Sequence, residues 1–250
     1  MKDYIATIVK NEKIAENIYA VTFDVGEDVA VRAGQFGDIA LGGTRLLRRP
    51  IAVCKAEKNL VTFCYQLRGE GTRELKELGA GTRLNVLMPL GNGFYVEENE
   101  KKVALVGGGV GVFPLISVLR AYGGAKEISA YIGYRNAAAV CGTEEFEKAN
   151  KFVAVTDDGS YGEKMNAVQA FEKDLANNRP DVVLACGPTP MLRALKAVTD
   201  KAGLACYVSL EERMGCGIGA CLVCVCDKTD GKKARVCKDG PVFNANDVLL

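Results

Sequence analysis

The chain of 250 residues contains no histidine at all. That absence removes a histidine-based catalytic triad, an imidazole general base, a zinc site using histidine, and a Rieske-type cluster. An excess of one charge is also missing: 32 Lys and Arg stand against 31 Asp and Glu, leaving +1. Nothing in that balance favours a nucleic-acid or anionic-membrane partner. The longest apolar stretch, Val103 to Leu119, is broken by Gly107, Gly108, Gly109 and Pro114 and is too short to span a bilayer. The opening Met1-Lys2-Asp3-Tyr4 lacks the charged-then-apolar layout of a signal peptide, so a cytoplasmic protein is expected. Cysteine, by contrast, is abundant, with 10 residues. In a reducing compartment disulfides are not expected, so clustered cysteines point to metal or redox work.

Three regions differ in pattern. Residues 1–98 carry short runs rich in Val, Ile, Phe and Tyr between turn residues, at Ile5–Val9, Tyr19–Phe23, Gly37–Leu41, Pro50–Cys54, Val61–Leu67 and Arg83–Met88. One helix is expected at Thr72–Leu78, with Thr72 as N-cap. Six such strands and one helix predict a small antiparallel β-barrel. After the charged stretch Glu97–Lys102, apolar strands alternate with helices through residue 210. The strands are expected at Val103–Val106, Ile128–Tyr134, Phe152–Thr156, Val182–Cys186 and Cys206–Leu210. The helices are expected after Gly111 and at Thr143–Ala149, Lys164–Ala176 and Pro190–Lys201. This is the β–α–β pattern of a Rossmann-like parallel sheet covered on both faces. Residues 211–250 hold five of the cysteines and no periodic apolar helix, so a metal staple is expected there.

Cys216, Cys221 and Cys224 are spaced C-x4-C-x2-C, and Cys237 follows after twelve residues. This is the plant-type ligand spacing of a [2Fe–2S] cluster, whose irons take soft thiolate donors. Gly215, Gly217 and Gly219 suit a loop wrapped closely around an inorganic core, where backbone N–H groups can face sulfur. Zinc is the competing reading, although only Cys221 and Cys224 form the C-x2-C pair typical of it. Cys226 competes with Cys224 for the third position, and the x2 gap favours Cys224. Cys54, Cys64, Cys141, Cys186 and Cys206 fall mostly in apolar strands and read as buried core thiols.

Two phosphate cradles are legible. Gly107, Gly108, Gly109 and Gly111 lie between an apolar strand and a helix, a turn that turns N–H groups toward a phosphate. The segment does not match the strict G-x-G-x-x-G fingerprint, and tight packing alone also explains such turns. Asp157 follows the third strand of this region, and Cys186, Gly187 and Pro188 end the fourth, with Met191 beyond. All lie at carboxyl ends of strands, where open α/β sheets bind ligands. In the first region, Arg48, Arg49 and Pro50 open a strand, and Gly69-Glu70-Gly71-Thr72 runs into a helix. Together they suggest a pyrophosphate site.

The order of these motifs, Arg-Pro-x-x and Gly-x-Gly-Thr, then Gly-Gly-Gly-x-Gly-x-x-Pro, then Cys-Gly-Pro, resembles the ferredoxin–NADP reductase superfamily. The stretch Glu-Glu-Arg-Met-Gly-Cys-Gly-Ile-Gly-Ala-Cys-x-x-Cys resembles the electron-transfer subunits of two-component, NAD-dependent dihydroorotate dehydrogenases. The resemblance implies a FAD-binding barrel over residues 1–98, an NAD-binding domain over 99–210 and a [2Fe–2S] domain over 211–250. It implies flavin contacts at Arg49, Pro50, Ile51, Ala52, Cys64, Tyr65, Gln66, Gly71 and Thr72. Ala52 stands where the family carries Ser, removing one hydroxyl. It also implies electron exchange between NAD(H), FAD and the cluster, with no catalytic side chain required. The implied partner is an FMN-containing catalytic subunit that oxidises dihydroorotate to orotate in pyrimidine biosynthesis, in a heterotetramer with two of each subunit. The runner-up expectation is the same wiring in another complex, such as a hydrogenase or a ferredoxin–NADP oxidoreductase. A non-enzymatic redox sensor and a zinc-stapled flavin reductase are further alternatives. Gly133-Tyr134-Arg135-Asn136 ends the second strand without an acidic residue, and Arg135 either accepts a 2′-phosphate or is a solvated side chain; against that local signal, the family resemblance implies NAD.

Overall fold

The computed structural model describes every residue except 44 and 45. Its first part is a closed antiparallel barrel in the order β1-β2-β5-β4-β3-β6. The strands are β1 (Lys2–Ala15), β2 (Ile18–Asp24), β3 (Phe36–Ala40), β4 (Arg49–Glu57), β5 (Leu60–Gln66) and β6 (Arg83–Leu90). β1 runs well past the expected Ile5–Val9 because it serves both neighbours in turn. It pairs with β6 over Lys2–Thr7 and with β2 over Thr7–Ala15, which closes the barrel. Period-two alternation sends Tyr4, Ala6 and Ile8 inward, and they meet Phe23, Phe63, Val86 and Met88. Phe23 and Phe63 pack edge to face at 6.0 Å. Gly37 faces the same interior, and a Cβ there would lie 2.8 Å from Phe63 Cζ. Helix α1 (Glu70–Glu77) closes one end with the fully buried Leu75.

The helix start differs from expectation. Gly69, not Thr72, is the N-cap. Thr72 sits one turn in, and its Oγ1 accepts the Arg68 N–H at 3.0 Å and the Gly69 N–H at 3.2 Å. A hydroxyl at this position reaches backward to the donors before the helix, which leaves the N–H groups of the first turn unused by side chains.

The second part is a seven-stranded sheet in the order β10-β9-β8-β7-β11-β12-β15. Its strands are β7 (Lys102–Gly108), β8 (Glu127–Tyr134), β9 (Lys151–Thr156), β10 (Glu163–Lys164), β11 (Val182–Cys186), β12 (Ala205–Ser209) and β15 (Val242–Asn244). All neighbours are parallel except β12 and β15. Helices α2 (Val112–Tyr122), α4 (Ala167–Asp174) and α5 (Thr189–Ala202) cover it, and α3 (Thr143–Phe146) is a single turn rather than the expected Thr143–Ala149. α4 begins three residues after the expected Lys164. Asn166 and Gln169 cap it reciprocally, each side chain accepting the other's N–H at 3.0 Å, while Glu163 and Lys164 extend the sheet. The chain continues from β7 to one side and returns through β11 on the other, so the order reverses between these two strands.

The tail folds around a short hairpin, β13 (Val225–Asp227) and β14 (Lys233–Arg235), and returns β15 to the edge of the large sheet. Phe36 and Leu90 of the barrel pack with Cys224, Val236 and Cys237, which seats the tail against β3 and β6. No helix among the described residues is long and apolar enough to cross a membrane.

Barrel and sheet are tied by an ion cluster centred on the buried Glu145. Glu145 accepts from Lys55 at 2.7 Å, Lys148 at 2.9 Å and Arg120 at 3.2 Å, and Arg120 also pairs with Glu57. Burial alone would raise the Glu145 carboxyl, but the hydrogen bonds and charges of Lys148 and Lys55 outweigh it and hold the group at about 2. A carboxylate depressed on folding stabilises the protein above its unfolded pKa and loses that contribution as pH falls through the folded value. Glu145→Gln is therefore expected to lower unfolding free energy at pH 7 by on the order of 3 kcal/mol. In denaturant melts, the gap from wild type should begin to close below about pH 4.5. A gap constant from pH 7 to pH 3 contradicts this reading.

Candidate electron-transfer site

The cysteine sulfurs of the tail meet in two pairs. Cys221 is tied to Cys216 through its N–H, 3.4 Å from Cys216 Sγ, and Cys237 to Cys224 through its N–H, 3.4 Å from Cys224 Sγ. Among the described residues no three Cys, Asp or Glu side chains converge as a single ion would require. Two pairs of cysteines, one pair for each iron, would suit a two-iron core. Cys226 takes no part in either pair. It lies on β13, half-buried against the sheet, so Cys224 faces Cys237, as the x2 spacing suggests.

The loop also delivers its backbone to the sulfurs. Cys216 Sγ accepts the N–H of Ala220 at 3.2 Å and of Cys221 at 3.4 Å, and Cys224 Sγ accepts the N–H of Cys237 at 3.4 Å. Gly217 and Gly219 adopt φ of +68° and +82°, which curls the chain so that these donors point inward. Burial opposes ionisation of Cys216, but the N–H groups of Ile218, Cys221 and Ala220 win and hold it near 6. Burial and the Cys224 contact push Cys237 up to about 12. The donor set fits a [2Fe–2S] cluster.

A cleft of about 270 Å³ opens where barrel, sheet and tail meet. Pro50, Ile51 and Ala52 of β4, Cys64, Tyr65 and Gln66 of β5, and Thr72 of α1 line it. Arg49 and Gly71 do not line it but pack on each other. A Cβ on Gly71 would lie 2.0 Å from Arg49 Nε, so the guanidinium is laid across the turn that starts α1. Tyr65 stacks on Tyr19 at 5.9 Å and donates its hydroxyl to Asn11 Oδ1 at 3.1 Å. Contact with Cys54, together with burial, keeps the Cys64 thiol protonated. The far wall comes from Phe113 and Pro114 of α2, Cys186, Ser209, Glu212 and Met214.

A second cleft of about 1050 Å³ adjoins the first at the sheet's reversal point, and Gln66, Arg68, Val110 and Leu210 wall both. Gly108, Gly109, Gly111, Gly187 and Pro188 line it, with Arg135 and Arg193. Gly111 approaches β11 so closely that a Cβ would lie 2.3 Å from the Cys186 carbonyl oxygen. The other expected nucleotide residues sit differently. Gly107 is packed under Leu115 and Ile132, Met191 lies against Gly108 and Gly187, Cys186 turns to the first cleft, and exposed Asp157 lines neither cleft. Sequence reading missed Arg68, Phe113, Ser209 and the Glu211–Met214 segment. Arg68 stands immediately before the Gly-x-Gly-Thr turn, the one local signal available. The others reach the cleft only through tertiary packing.

Comparison with known proteins fits this geometry. A family model described as the iron–sulfur cluster binding domain of dihydroorotate dehydrogenase B matches residues 211–249, and an oxidoreductase NAD-binding domain matches 105–197. The electron transfer subunit of dihydroorotate dehydrogenase B (NAD(+)) from Bacillus pumilus is 41% identical, covering 100% of this chain and 99% of that protein. The corresponding subunit from Caldanaerobacter subterraneus is 38% identical, covering 98% of each. This chain belongs to that family of electron transfer subunits. A solved NADH-dependent reduced ferredoxin–NADP oxidoreductase, studied for flavin-based electron bifurcation, shares the fold at TM-score 0.88 and 28% identity, covering 98% of this chain and 90% of its own. Membership makes the chain an NAD-linked flavin and iron–sulfur oxidoreductase subunit, with FAD, an iron–sulfur cluster and NAD(H) as its cofactors. The name of the family implies a catalytic partner subunit.

Because the thiolate pairs lie outside the flavin-sized cleft, cluster and flavin should separate by mutation. Cys221→Ser is expected to abolish the cluster's visible absorbance and iron content while flavin content and flavin reduction by NADH persist. Gly111→Ala is expected to weaken NADH binding at least tenfold at unchanged flavin content, since the backbone must move away from β11. Stopped-flow flavin bleaching measures both, and loss of flavin in either variant contradicts the assignment.

Proposed function

We propose that this chain is the electron-transfer subunit of a two-component, NAD-dependent dihydroorotate dehydrogenase of the cytoplasm, serving pyrimidine biosynthesis. Its catalytic partner would be an FMN-containing subunit, assembled two of each, that oxidises dihydroorotate to orotate. Three modules divide the work, at residues 1–98 for FAD, 99–210 for NAD(H) and 211–250 for the cluster. The observation that carries the reading is the first cleft, whose walls come from all three modules.

FAD, when bound, supplies the exchange between the two electrons of a hydride and the single electrons a [2Fe–2S] cluster accepts. The residues of this chain position it. Pro50, Ile51, Ala52, Cys64, Tyr65 and Gln66 would flank the flavin, and the first turn of α1, with Arg49 across Gly71 and Thr72 behind it, would take the pyrophosphate. Gly108, Gly109, Gly111, Gly187 and Pro188 would admit NAD(H) beside the shared wall of the two clefts. Cys216, Cys221, Cys224 and Cys237 would hold the cluster. Phe36, Phe113, Pro114 and Met214 give the first cleft apolar walls. Burial raises the Cys186 thiol to about 12, so neither it nor Cys64 brings a thiolate to the flavin. Ile218, Leu222 and Val223 flank the cluster cysteines and are 41%, 61% and 54% exposed. Such an apolar rim suits a protein contact and supports a partner seated over the cluster.

Co-expression with an FMN-containing dihydroorotate-oxidising subunit tests the proposal. Copurification and dihydroorotate-dependent reduction of NAD+, seen only with both chains, is the expected result. Failure to associate, with NADH turnover on artificial acceptors intact, assigns the electrons to another partner.

A further inference from the structure

Two carboxylates are buried among the described residues, and they are treated in opposite ways. Glu145 is met by three cations. Asp38 is 1% exposed, and its Oδ1 has no hydrogen-bond partner. No ion pair involves its carboxylate among the described residues. An orphaned carboxylate costs several kcal/mol to bury, and a fold keeps one only where something else is served.

Its place in the fold says what that is. Asp38 lies in the middle of β3, where its backbone pairs with Pro50 of β4 and Leu87 of β6. Pro50 lines the flavin-sized cleft. The Asp38 side chain points out of the barrel into the cysteine loop. A Cβ built on Gly217 would lie 2.8 Å from Asp38 Oδ2 and 3.5 Å from its Cγ. Gly217 directly follows Cys216, so the carboxylate stands between the flavin strand and the cluster loop. Burial raises the Asp38 carboxyl to about 6 against the pull of the Arg48 and Arg49 charges, and Arg48 Nη1 itself donates at 3.2 Å to the Asp38 main-chain oxygen.

We propose that Asp38 is a positioning residue for electrons, a fixed negative charge through which the barrel lowers the reduction potential of the cluster. The inference rests on the assignment of the cluster to the four cysteines. Adding an electron makes a thiolate-held cluster more negative, and a buried carboxylate beside it opposes that step with little solvent screening. A cluster held at low potential is the better donor toward the flavin, the direction electrons take to reach NAD+.

Anaerobic redox titration of the holoprotein at pH 8, following the cluster by electron paramagnetic resonance and the flavin by absorbance, tests this. Asp38→Asn should move the cluster midpoint upward at unchanged iron, sulfide and flavin content, with a smaller movement of the flavin midpoint. A purely structural role would reduce cluster content and leave the midpoint where it was. A fully loaded Asp38→Asn protein with the wild-type midpoint overturns the proposal. Should that variant fail to load, Asp38→Ser decides: an upward shift of the cluster midpoint supports the proposal, and an unchanged or lowered midpoint overturns it. A wild-type protein lacking iron and sulfide removes the cluster assignment itself, and the proposal with it.

Discussion

The tail of this protein is organised around bringing backbone N–H donors to its cysteine sulfurs. The N–H groups of Ala220 and Cys221 reach Cys216 and that of Cys237 reaches Cys224. Two irons would bind the same sulfurs. Gly217 and Gly219 follow from this requirement, because only a left-handed backbone curls the donors toward the sulfurs. The small apolar cluster of Cys224, Val236 and Cys237 with Phe36 and Leu90 then fixes the loop to the barrel. A tail too small to hold a core of its own thus gains one from its neighbour.

The same docking sets the electron route. β3 lines the flavin-sized cleft through Phe36 and faces the cysteine loop through Asp38, so the two proposed redox sites are joined by strand. The sheet contributes its reversal point between β7 and β11, where glycines let the chain pass close enough to leave room for a nucleotide. The Glu145 cluster holds barrel and sheet in register on the side away from the tail, linking β4 to α2 and α3. Three cofactor sites with little side-chain chemistry of their own depend on that fixed geometry.

Much of this was legible in the sequence, and the reasons differ by element. The barrel and the parallel sheet follow from hydrophobic period, and the cysteine-rich tail stands out by its C-x4-C-x2-C spacing. Strand ends were less legible: β1 extends to Ala15 because two partners share it, which no local pattern records. Thr72 reads as a cap by residue type, yet Gly69 takes that place because the hydroxyl reaches backward. β15 at the sheet edge, and Ser209 and Met214 in the cleft, depend on where the tail returns, a tertiary fact. Asp157, chosen for standing after a strand, lines neither cleft, because β9 lies two strands from the reversal point.

The central claim is that one polypeptide turns paired electrons into single ones. Its most direct measurement is an NADH titration of anaerobically purified protein with iron, sulfide and flavin analysis on the same sample. The account predicts about two irons and about two sulfides per chain, with flavin bleaching followed by the signal of a reduced [2Fe–2S] cluster. Zinc in place of iron, or flavin that bleaches fully while no cluster signal develops, would contradict it.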